Sequence, residues 1–288
     1  MNSFFSGVFR WLLYGNLFVS AIAPALAFAT VHALDLPPLS PAVYIFLFSA
    51  AMLQYNVHGL LFLRQMPQAN WNENFRWLNR NRIFIFVITV LSVIGAIVPL
   101  FFFSPTLIYC IAILAVFSLA YEIPVFLPKE SWGVFKQFAT LKSVHLSLAW
   151  TAVTIIIPLV ACGATEITTE IILLFATRFL IILPIATGFD ARDEIYDRSV
   201  GIITLPVILG RWISVFEYSV GAILCLVSFY QLHLTGKIFQ MNANVLSMLC
   251  IITVLHIIRQ RKNNLPDWFH LLWLDGTLML YSLLLIIH

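Results

Sequence analysis

The sequence predicts an all-α, polytopic membrane protein, and three observations carry this prediction. Of the 288 residues, 61% are hydrophobic and only 10% are charged, whereas about a quarter of the residues in a soluble domain are charged. The mean hydropathy is +0.95. Long apolar runs recur from one end of the chain to the other. The bilayer is therefore the expected environment of the whole chain, and not only of an anchor on a soluble domain.

Nine apolar runs are long enough to cross a bilayer, which requires about 20 residues of α-helix. In chain order they cover residues 11–31, 41–63, 83–103, 107–126, 142–161, 168–188, 212–232, 243–259 and 268–287. The first run follows a single basic residue, Arg10, and lacks a small-residue cleavage site. We interpret it as a retained helix and not as a signal peptide. No linker divides the chain, so one domain is expected over residues 1–288.

The connections between the runs differ in length and composition. Only residues 103–106 separate the third run from the fourth, which indicates a tight helical hairpin. The longest polar stretch, residues 64–82, is rich in Asn, Trp and Arg. This composition predicts an interfacial helix with Trp71 and Trp77 at headgroup level.

Basic residues predict the orientation of the chain. They gather in the connections after the second, fourth, sixth and eighth runs, whereas the opposite connections contain only Lys237. Cytoplasmic connections of membrane proteins carry an excess of Lys and Arg. We therefore expect a cytoplasmic N-terminus and an external C-terminus, in the inner membrane of a bacterium.

Charge and cysteine usage exclude several kinds of partner. The net charge of +3 is small and spread over the connections, so no nucleic-acid partner is expected. The four cysteines lie in or beside apolar runs without the spacing of a metal site, so neither disulfide nor zinc chemistry is expected. They are Cys110, Cys162, Cys225 and Cys250.

The most informative stretch follows the sixth run, at residues 188–201. Asp190, Asp193 and Asp197 stand at i, i+3 and i+7, which puts three carboxylates within about 60° of one helix face. Crowded carboxylates repel one another, and a divalent cation removes that repulsion. Mg²⁺ prefers carboxylate oxygens shared with substrate phosphates. The stretch predicts a magnesium–diphosphate site at the membrane surface; the alternative is a solvated helix end.

The residues after these acids extend the pattern. Gly201, Thr204, Leu205, Pro206 and Gly210 follow at fixed spacing. The whole string resembles the second aspartate-rich motif of the UbiA superfamily of intramembrane prenyltransferases. The resemblance implies nine helices around a central cavity, with the aspartate motifs at the cytoplasmic ends of the second and sixth helices. It also implies transfer of a prenyl chain, an alkyl group other than methyl, from a prenyl diphosphate to an aromatic or other acceptor.

The resemblance implies roles for individual residues. Asp190, Asp193 and Asp197 would be the catalytic, magnesium-binding acids. A second segment, residues 121–129, is similar to a family segment near the diphosphate. Diphosphate contacts or neighbours are then expected among Lys129, Arg192, Tyr196 and Arg198.

The first aspartate motif of the family is degenerate here. Asn56 matches the motif, but Leu60 and Arg64 stand where the family has its two aspartates. In one interpretation the diphosphate is still bound, and cations such as Arg64 replace a metal ion, because a guanidinium bridges phosphate oxygens well. In the other, the chain is a non-catalytic homologue. Arg64 also fits a topology anchor, and Asn56 fits a cavity lining or an interhelical hydrogen bond.

Two charged residues fall inside predicted spans, Arg178 in the sixth and Asp275 in the ninth. Charges in the bilayer are costly and usually face the bundle interior. Arg178 is expected to contact an acceptor, or to form a structural pair with Asp275.

Three classes of function follow from these patterns. The first is a prenyltransferase that works on a prenyl diphosphate and an unidentified acceptor among membrane lipids. The second is a degenerate homologue that binds an isoprenoid or assists a pathway partner. The third, which depends only on Arg178 and Asp275, is a transporter. The sequence specifies neither the acceptor, nor the prenyl chain length, nor the oligomeric state.

Overall fold

In the computed structural model the chain is a bundle of α-helices. The structure describes residues 3–65, 71–120, 141–164, 166–200, 203–261 and 265–287, and the regular structure of these residues is entirely helical. The helices are α1 (Ser3–Tyr14), α2 (Leu17–Ala33), α3 (Pro41–Gln65), α4 (Glu73–Arg80), α5 (Arg82–Ile97), α6 (Pro105–Ala120), α7 (Lys142–Ala161), α8 (Thr169–Val200), α9 (Leu205–Leu209), α10 (Ile213–Thr235), α11 (Ile238–Arg261) and α12 (Asp267–Ile286).

The predicted transmembrane runs coincide with these helices, and the first run spans a bend. Helices α1 and α2 meet at an angle of 58°. Asn16 at the bend has φ 60°, a left-handed conformation that Asn adopts more readily than most residues. A Cβ at Gly15 would lie 2.4 Å from the carbonyl oxygen of Trp11, so the bend requires glycine there.

Length and composition define the membrane spans of the described chain. Six helical segments qualify, or seven if α1 and α2 form one span. Helix α6 qualifies only as a shorter apolar helix over its described residues, and α3 carries Gln54, Asn56 and His58 in its second half. The protein is therefore an integral multi-pass membrane protein. The count of nine spans stays a prediction.

Helices α2 and α8 hold the bundle together. Helix α2 packs against α3, α7 and α12, and α8 packs against α7, α10, α11 and α12. One buried apolar cluster joins α2 to α8, α10, α11 and α12, and a second joins α2 to α3, α6 and α7. The outer faces are apolar as well: Phe86 on α5 and Leu226 on α10 are 60% and 72% exposed. Such faces suit contact with lipid and not with water.

Helix ends that carry most of the basic residues meet at one end of the bundle. Arg10 of α1 pairs with Glu73 of α4 at 3.2 Å, and Asp267 of α12 accepts a hydrogen bond of 3.0 Å from the backbone of Asn74. At the opposite end, Lys237 pairs with Asp35 at 2.8 Å and with Glu170 at 2.6 Å. The described connections thus have the charge asymmetry that the sequence predicts.

Helix α4 is the helix predicted within residues 64–82. The side chain of Asn72 caps its start by accepting a 2.9 Å hydrogen bond from the backbone N–H of Phe75. Leu78 is buried and packs closely on Gly59: a Cβ added to Gly59 would lie 3.1 Å from Cδ1 of Leu78. Trp77 stacks edge-on against Trp11, with ring centroids 4.7 Å apart. Helix α4 therefore lies across the end of α3, beside the bend between α1 and α2.

Candidate functional site

The candidate site is built on the last turns of α8, which continues as a helix beyond its apolar part. Just before the acids, α8 packs tightly on its neighbours. A Cβ at Gly188 would lie 2.7 Å from Leu255 of α11 and 3.2 Å from Leu274 of α12. Glycine therefore lets α11 and α12 approach α8 where the acidic stretch begins, so that polar groups on α12 come near those on α8.

Asp190 is the most enclosed of the described acids on α8, with 4% of its surface exposed. The ammonium of Lys142 lies 3.2 Å from its Oδ1, and the hydroxyl of Ser143 donates a hydrogen bond to its Oδ2. Both partners come from the first turn of α7. A buried carboxylate requires such compensation, because its desolvation is otherwise costly. Asp190 therefore joins the end of α8 to the start of α7.

Asp193 is held by its chain neighbour. Arg192 donates from Nε to Oδ1 at 2.8 Å and from Nη2 to Oδ2 at 2.9 Å, a bidentate arrangement that suits the flat guanidinium. The acids Asp267 and Asp275 of α12 also lie within electrostatic range of Arg192. Two carboxylates, each with a protein cation, thus stand one helical turn apart.

Of the three remaining predicted site residues in the last turns of α8, the structure describes the side chain of Arg198. Arg198 is half-exposed and binds Glu194 one turn earlier, at 2.7 and 2.9 Å. This local pair turns the guanidinium of Arg198 along its own helix. The side chains of Tyr196 and Asp197 lie outside the described residues, and their roles stay predictions.

The first-motif position is only partly described. Lys129, with its whole segment 121–129, and the side chain of Arg64 lie outside the described residues. Asn56 is completely buried, and its Oδ1 accepts a 2.9 Å hydrogen bond from Nδ2 of Asn16. Its own Nδ2 has no hydrogen-bond partner among the described residues. Asn56 therefore has an N–H donor available, while its oxygen is already used.

Arg178 is fully buried and lies away from the acids. Its Nη1 donates to Thr30 Oγ1 at 2.6 Å and to the carbonyl oxygen of Thr154 at 3.1 Å, and its Cζ lies 6.0 Å from the Tyr281 ring centroid. The twelve residues between Arg178 and Asp190 correspond to a rise of about 18 Å. Arg178 therefore ties α2, α7 and α8 together inside the bundle.

The predicted pair between Arg178 and Asp275 is wrong for the described structure. Asp275 lies within electrostatic range of Arg192, whereas the polar contacts of Arg178 are to threonines. The reason is their depth along the bundle. Asp275 is the ninth residue of α12, and Tyr281, which faces Arg178, is six residues further on.

The structure adds residues that the sequence analysis did not assign to the site: Lys142, Ser143 and Asn16. Lys142 is one of the basic residues that follow the fourth run and that entered only the prediction of orientation. Its pairing with Asp190 joins positions 48 residues apart along the chain. No spacing rule identifies such a contact. Asn16 contacts Asn56 only because α2 begins at a bend. For Ser143 the sequence offered one signal, namely its position as a polar residue at the start of an apolar helix.

The acids fit magnesium in their chemistry. Among the described residues, no group of three or more His, Cys, Asp or Glu side chains forms a metal cage. Mg²⁺ does not require one, since it usually binds one or two carboxylates together with substrate phosphates and water. Asp190 and Asp193 already bind cationic groups. They are therefore the described residues that would hold a magnesium ion.

Fold and site together define a class: a helical integral membrane protein with paired carboxylates and cations at one end of its bundle. The chain matches the model of the UbiA prenyltransferase family over residues 77–276, more than half of its length. It belongs to this family. The match includes the acids of α8 and begins after Asn56. No curated protein and no solved structure is significantly similar to the chain.

Proposed function

We propose that the protein is an intramembrane prenyltransferase that moves a prenyl chain from a prenyl diphosphate to an aromatic or lipid acceptor. One observation carries the proposal: paired carboxylates and cations stand at the end of α8, inside the range that matches the family. A diphosphate requires such a set of charges. The carboxylates accept magnesium, and the cations bind phosphate oxygens.

The residues of this chain have separable roles in the proposal. Asp190 and Asp193, together with Asp197, would hold the metal ion, and Arg192 would neutralise the leaving diphosphate. Magnesium, when bound, would stabilise the negative charge that develops as the diphosphate leaves. The bond between the prenyl carbon and the diphosphate oxygen breaks, and the apolar bundle keeps water away from the allylic cation that results. The acceptor attacks this cation and loses a proton, which the released diphosphate accepts.

The orientation and cellular location belong to the proposal as well. Basic side chains gather at the end of the bundle that carries Asp190, and the opposite end has Lys237 held by two acids. The positive-inside rule supports a site that faces the cytoplasm and an N-terminus on the same side. We infer that the membrane is the inner membrane of a bacterium, where prenyl diphosphates and lipid acceptors are both accessible.

A second candidate function is binding of an isoprenoid without catalysis. Leu60 and Arg64 at the positions of the family's first-motif aspartates favour it, because one metal-binding half is then missing. The structure adds that Nδ2 of Asn56 has no hydrogen-bond partner among the described residues, whereas its oxygen already accepts a hydrogen bond from Asn16. This donor suits a phosphate oxygen and not a metal ion.

Transfer activity separates the two candidates. Membranes that contain the protein are incubated with radiolabelled geranylgeranyl diphosphate, magnesium and a membrane lipid extract, and both prenylated lipid and released diphosphate are measured. The proposal predicts both products with the wild-type protein and neither with Asp193→Asn. Tight binding of the diphosphate without release of either product, over several prenyl chain lengths and acceptor extracts, would favour the second candidate.

A further inference from the structure

Lys142 has a position that helix energetics does not explain. It is the first residue of α7, where the positive end of the helix dipole disfavours a cation. Its ammonium nevertheless lies 3.2 Å from the enclosed carboxylate of Asp190, and 30% of its side chain is exposed. Lys142 therefore compensates Asp190 while it remains accessible to a ligand.

Arg192 likewise compensates Asp193, the next acid along α8, while it remains partly exposed. It binds Asp193 through two hydrogen bonds, and 20% of its side chain is exposed. Neighbouring Asp267 and Asp275 of α12 add negative charge around it. Both carboxylates proposed for the metal are thus occupied by cations of the protein itself.

A diphosphate with magnesium offers each of these groups a partner of higher charge. Carboxylate oxygens suit the metal ion, and ammonium and guanidinium groups suit phosphate oxygens. The Lys side chain is a flexible four-carbon stem that can redirect its ammonium without movement of the backbone. A change of side-chain conformation is therefore sufficient to move the Lys142 charge from Asp190 to a ligand bound beside it.

We propose that Lys142 and Arg192 are exchangeable counter-ions of the site: they pair with Asp190 and Asp193 until substrate arrives, and then bind the diphosphate oxygens. This inference rests on the proposed function, and it names Lys142 as a further substrate-binding residue. Its consequence is thermodynamic coupling. Magnesium alone competes with the two cations for the carboxylates, and diphosphate alone competes with the carboxylates for the cations. Each ligand therefore strengthens the binding of the other, by the same factor.

The substitution Lys142→Gln tests the exchange through two effects of opposite sign. Purified protein is titrated with magnesium alone, and then with geranylgeranyl thiolodiphosphate at saturating magnesium, by calorimetry. Without its counter-ion, Asp190 is open to the metal, so the affinity for magnesium alone rises about tenfold. Affinity for the diphosphate falls about tenfold, the typical contribution of one charge-assisted hydrogen bond. Lys142→Arg keeps the charge, so both affinities should change less than they do in Lys142→Gln.

Lys237→Gln is the matched control. Lys237 is also a partly exposed lysine held by carboxylates, those of Asp35 and Glu170, but it lies at the opposite end of the bundle. Neither affinity changes in this variant. If Lys142→Gln does not fold, Arg192→Gln carries the same pair of opposed effects through Asp193.

The outcomes distinguish this inference from the proposed function. Wild-type protein that does not bind the thiolodiphosphate with magnesium contradicts the proposed function itself. Wild-type protein that binds it, while Lys142→Gln weakens both ligands or changes neither, contradicts only the exchange and leaves Lys142 with a structural role. A rise in magnesium affinity together with a fall in diphosphate affinity in Lys142→Gln supports both the exchange and the proposed function.

Discussion

Arg192 and Asp193, adjacent in the chain, form a two-point ion pair in which Nε and Nη2 of the arginine lie 2.8 and 2.9 Å from the two carboxylate oxygens. This geometry requires an ionised, oriented carboxylate at the end of α8. The same end of α8 carries Asp190, which Lys142 and Ser143 of α7 hold. Cationic side chains of the protein itself therefore position Asp190 and Asp193 of the proposed diphosphate site.

The first prediction concerns Asp193 itself. Asp193→Asn should weaken magnesium-dependent binding of geranylgeranyl diphosphate about 10–100-fold, because a charged ligand of the metal is replaced by a neutral one. The protein should stay folded in detergent, since the Asp193 side chain is partly exposed. Calorimetry measures the affinity. Asp35→Asn, an ion-paired acid at the opposite end, is the control. Unchanged binding in Asp193→Asn removes the metal-site assignment.

The second prediction distinguishes two roles for Asn56: binding the metal ion, or donating a hydrogen bond to a phosphate oxygen. Asn56→Asp should weaken diphosphate binding about 10–100-fold, because a negative oxygen replaces the N–H donor of the fully buried amide. The new carboxylate still accepts the hydrogen bond from Asn16, so the packing is preserved. Tighter magnesium-dependent binding in this variant would instead assign position 56 to the metal.

Asn16 provides a companion to this experiment. Asn16→Gly keeps the left-handed backbone at φ 60° but removes the hydrogen bond that orients Asn56. Without it the amide of Asn56 can turn, so the diphosphate affinity should fall about threefold. The loss should be smaller than that of Asn56→Asp. An equal or larger loss would show that the bend between α1 and α2, and not the amide of Asn56, determines the diphosphate affinity.

The third prediction concerns the depth of Arg178. Arg178→Ala leaves a buried cavity and should cost about 2–5 kcal/mol of stability. Arg178→Met, which fills the space without a buried charge, should cost much less. Thermal unfolding in detergent measures both. The diphosphate affinity should change less than twofold in Arg178→Met, because the side chain lies about 18 Å of helix rise from Asp190. A larger loss would show that Arg178 contacts the substrate.

The fourth prediction is the pH dependence of the network around Lys237. Burial lowers the pKa of this ammonium, but hydrogen bonds to Asp35 and Glu170 outweigh burial and hold the pKa above its ordinary value of 10.5. A raised pKa means that the stabilisation is fully present below that value and is lost as the pH rises through the higher, folded-state pKa. Lys237→Gln should therefore lower the melting temperature by a constant amount between pH 7 and 9. The difference should shrink above pH 10.5. A difference in melting temperature that stays constant above pH 10.5 as well contradicts the ion-pair account.

The helical segments and the acidic stretch were predictable from the sequence, for a simple physical reason. Apolar length largely determines where helices cross a bilayer, so the predicted runs coincide with helices over the described residues, except that the first run includes the bend between α1 and α2. The spacing of Asp190 and Asp193 is local, and a helix places them one turn apart whatever surrounds them. Membership of the UbiA family was likewise predictable from the acids and the residues that follow them, and the family match confirms it.

The partners of the acids were not predictable, because they depend on how helices pack. Lys142 reaches Asp190 only because the start of α7 lies against the end of α8. The pair proposed for Arg178 and Asp275 was wrong because the sequence does not specify how far neighbouring helices are shifted along one another: Arg178 faces Tyr281, six residues beyond Asp275. A buried arginine satisfied by hydroxyl and carbonyl oxygens, as at Thr30 and Thr154, has no sequence pattern of its own.

The most direct test of the account is the binding of geranylgeranyl diphosphate to the purified protein, with and without magnesium, by calorimetry. The account predicts binding that depends on magnesium, is weakened about 10–100-fold in Asp193→Asn and is preserved in Asp35→Asn. Absence of binding over several prenyl chain lengths, in protein that is folded by its thermal transition, would contradict a working diphosphate site. The acids of α8 would then be the remnant of one.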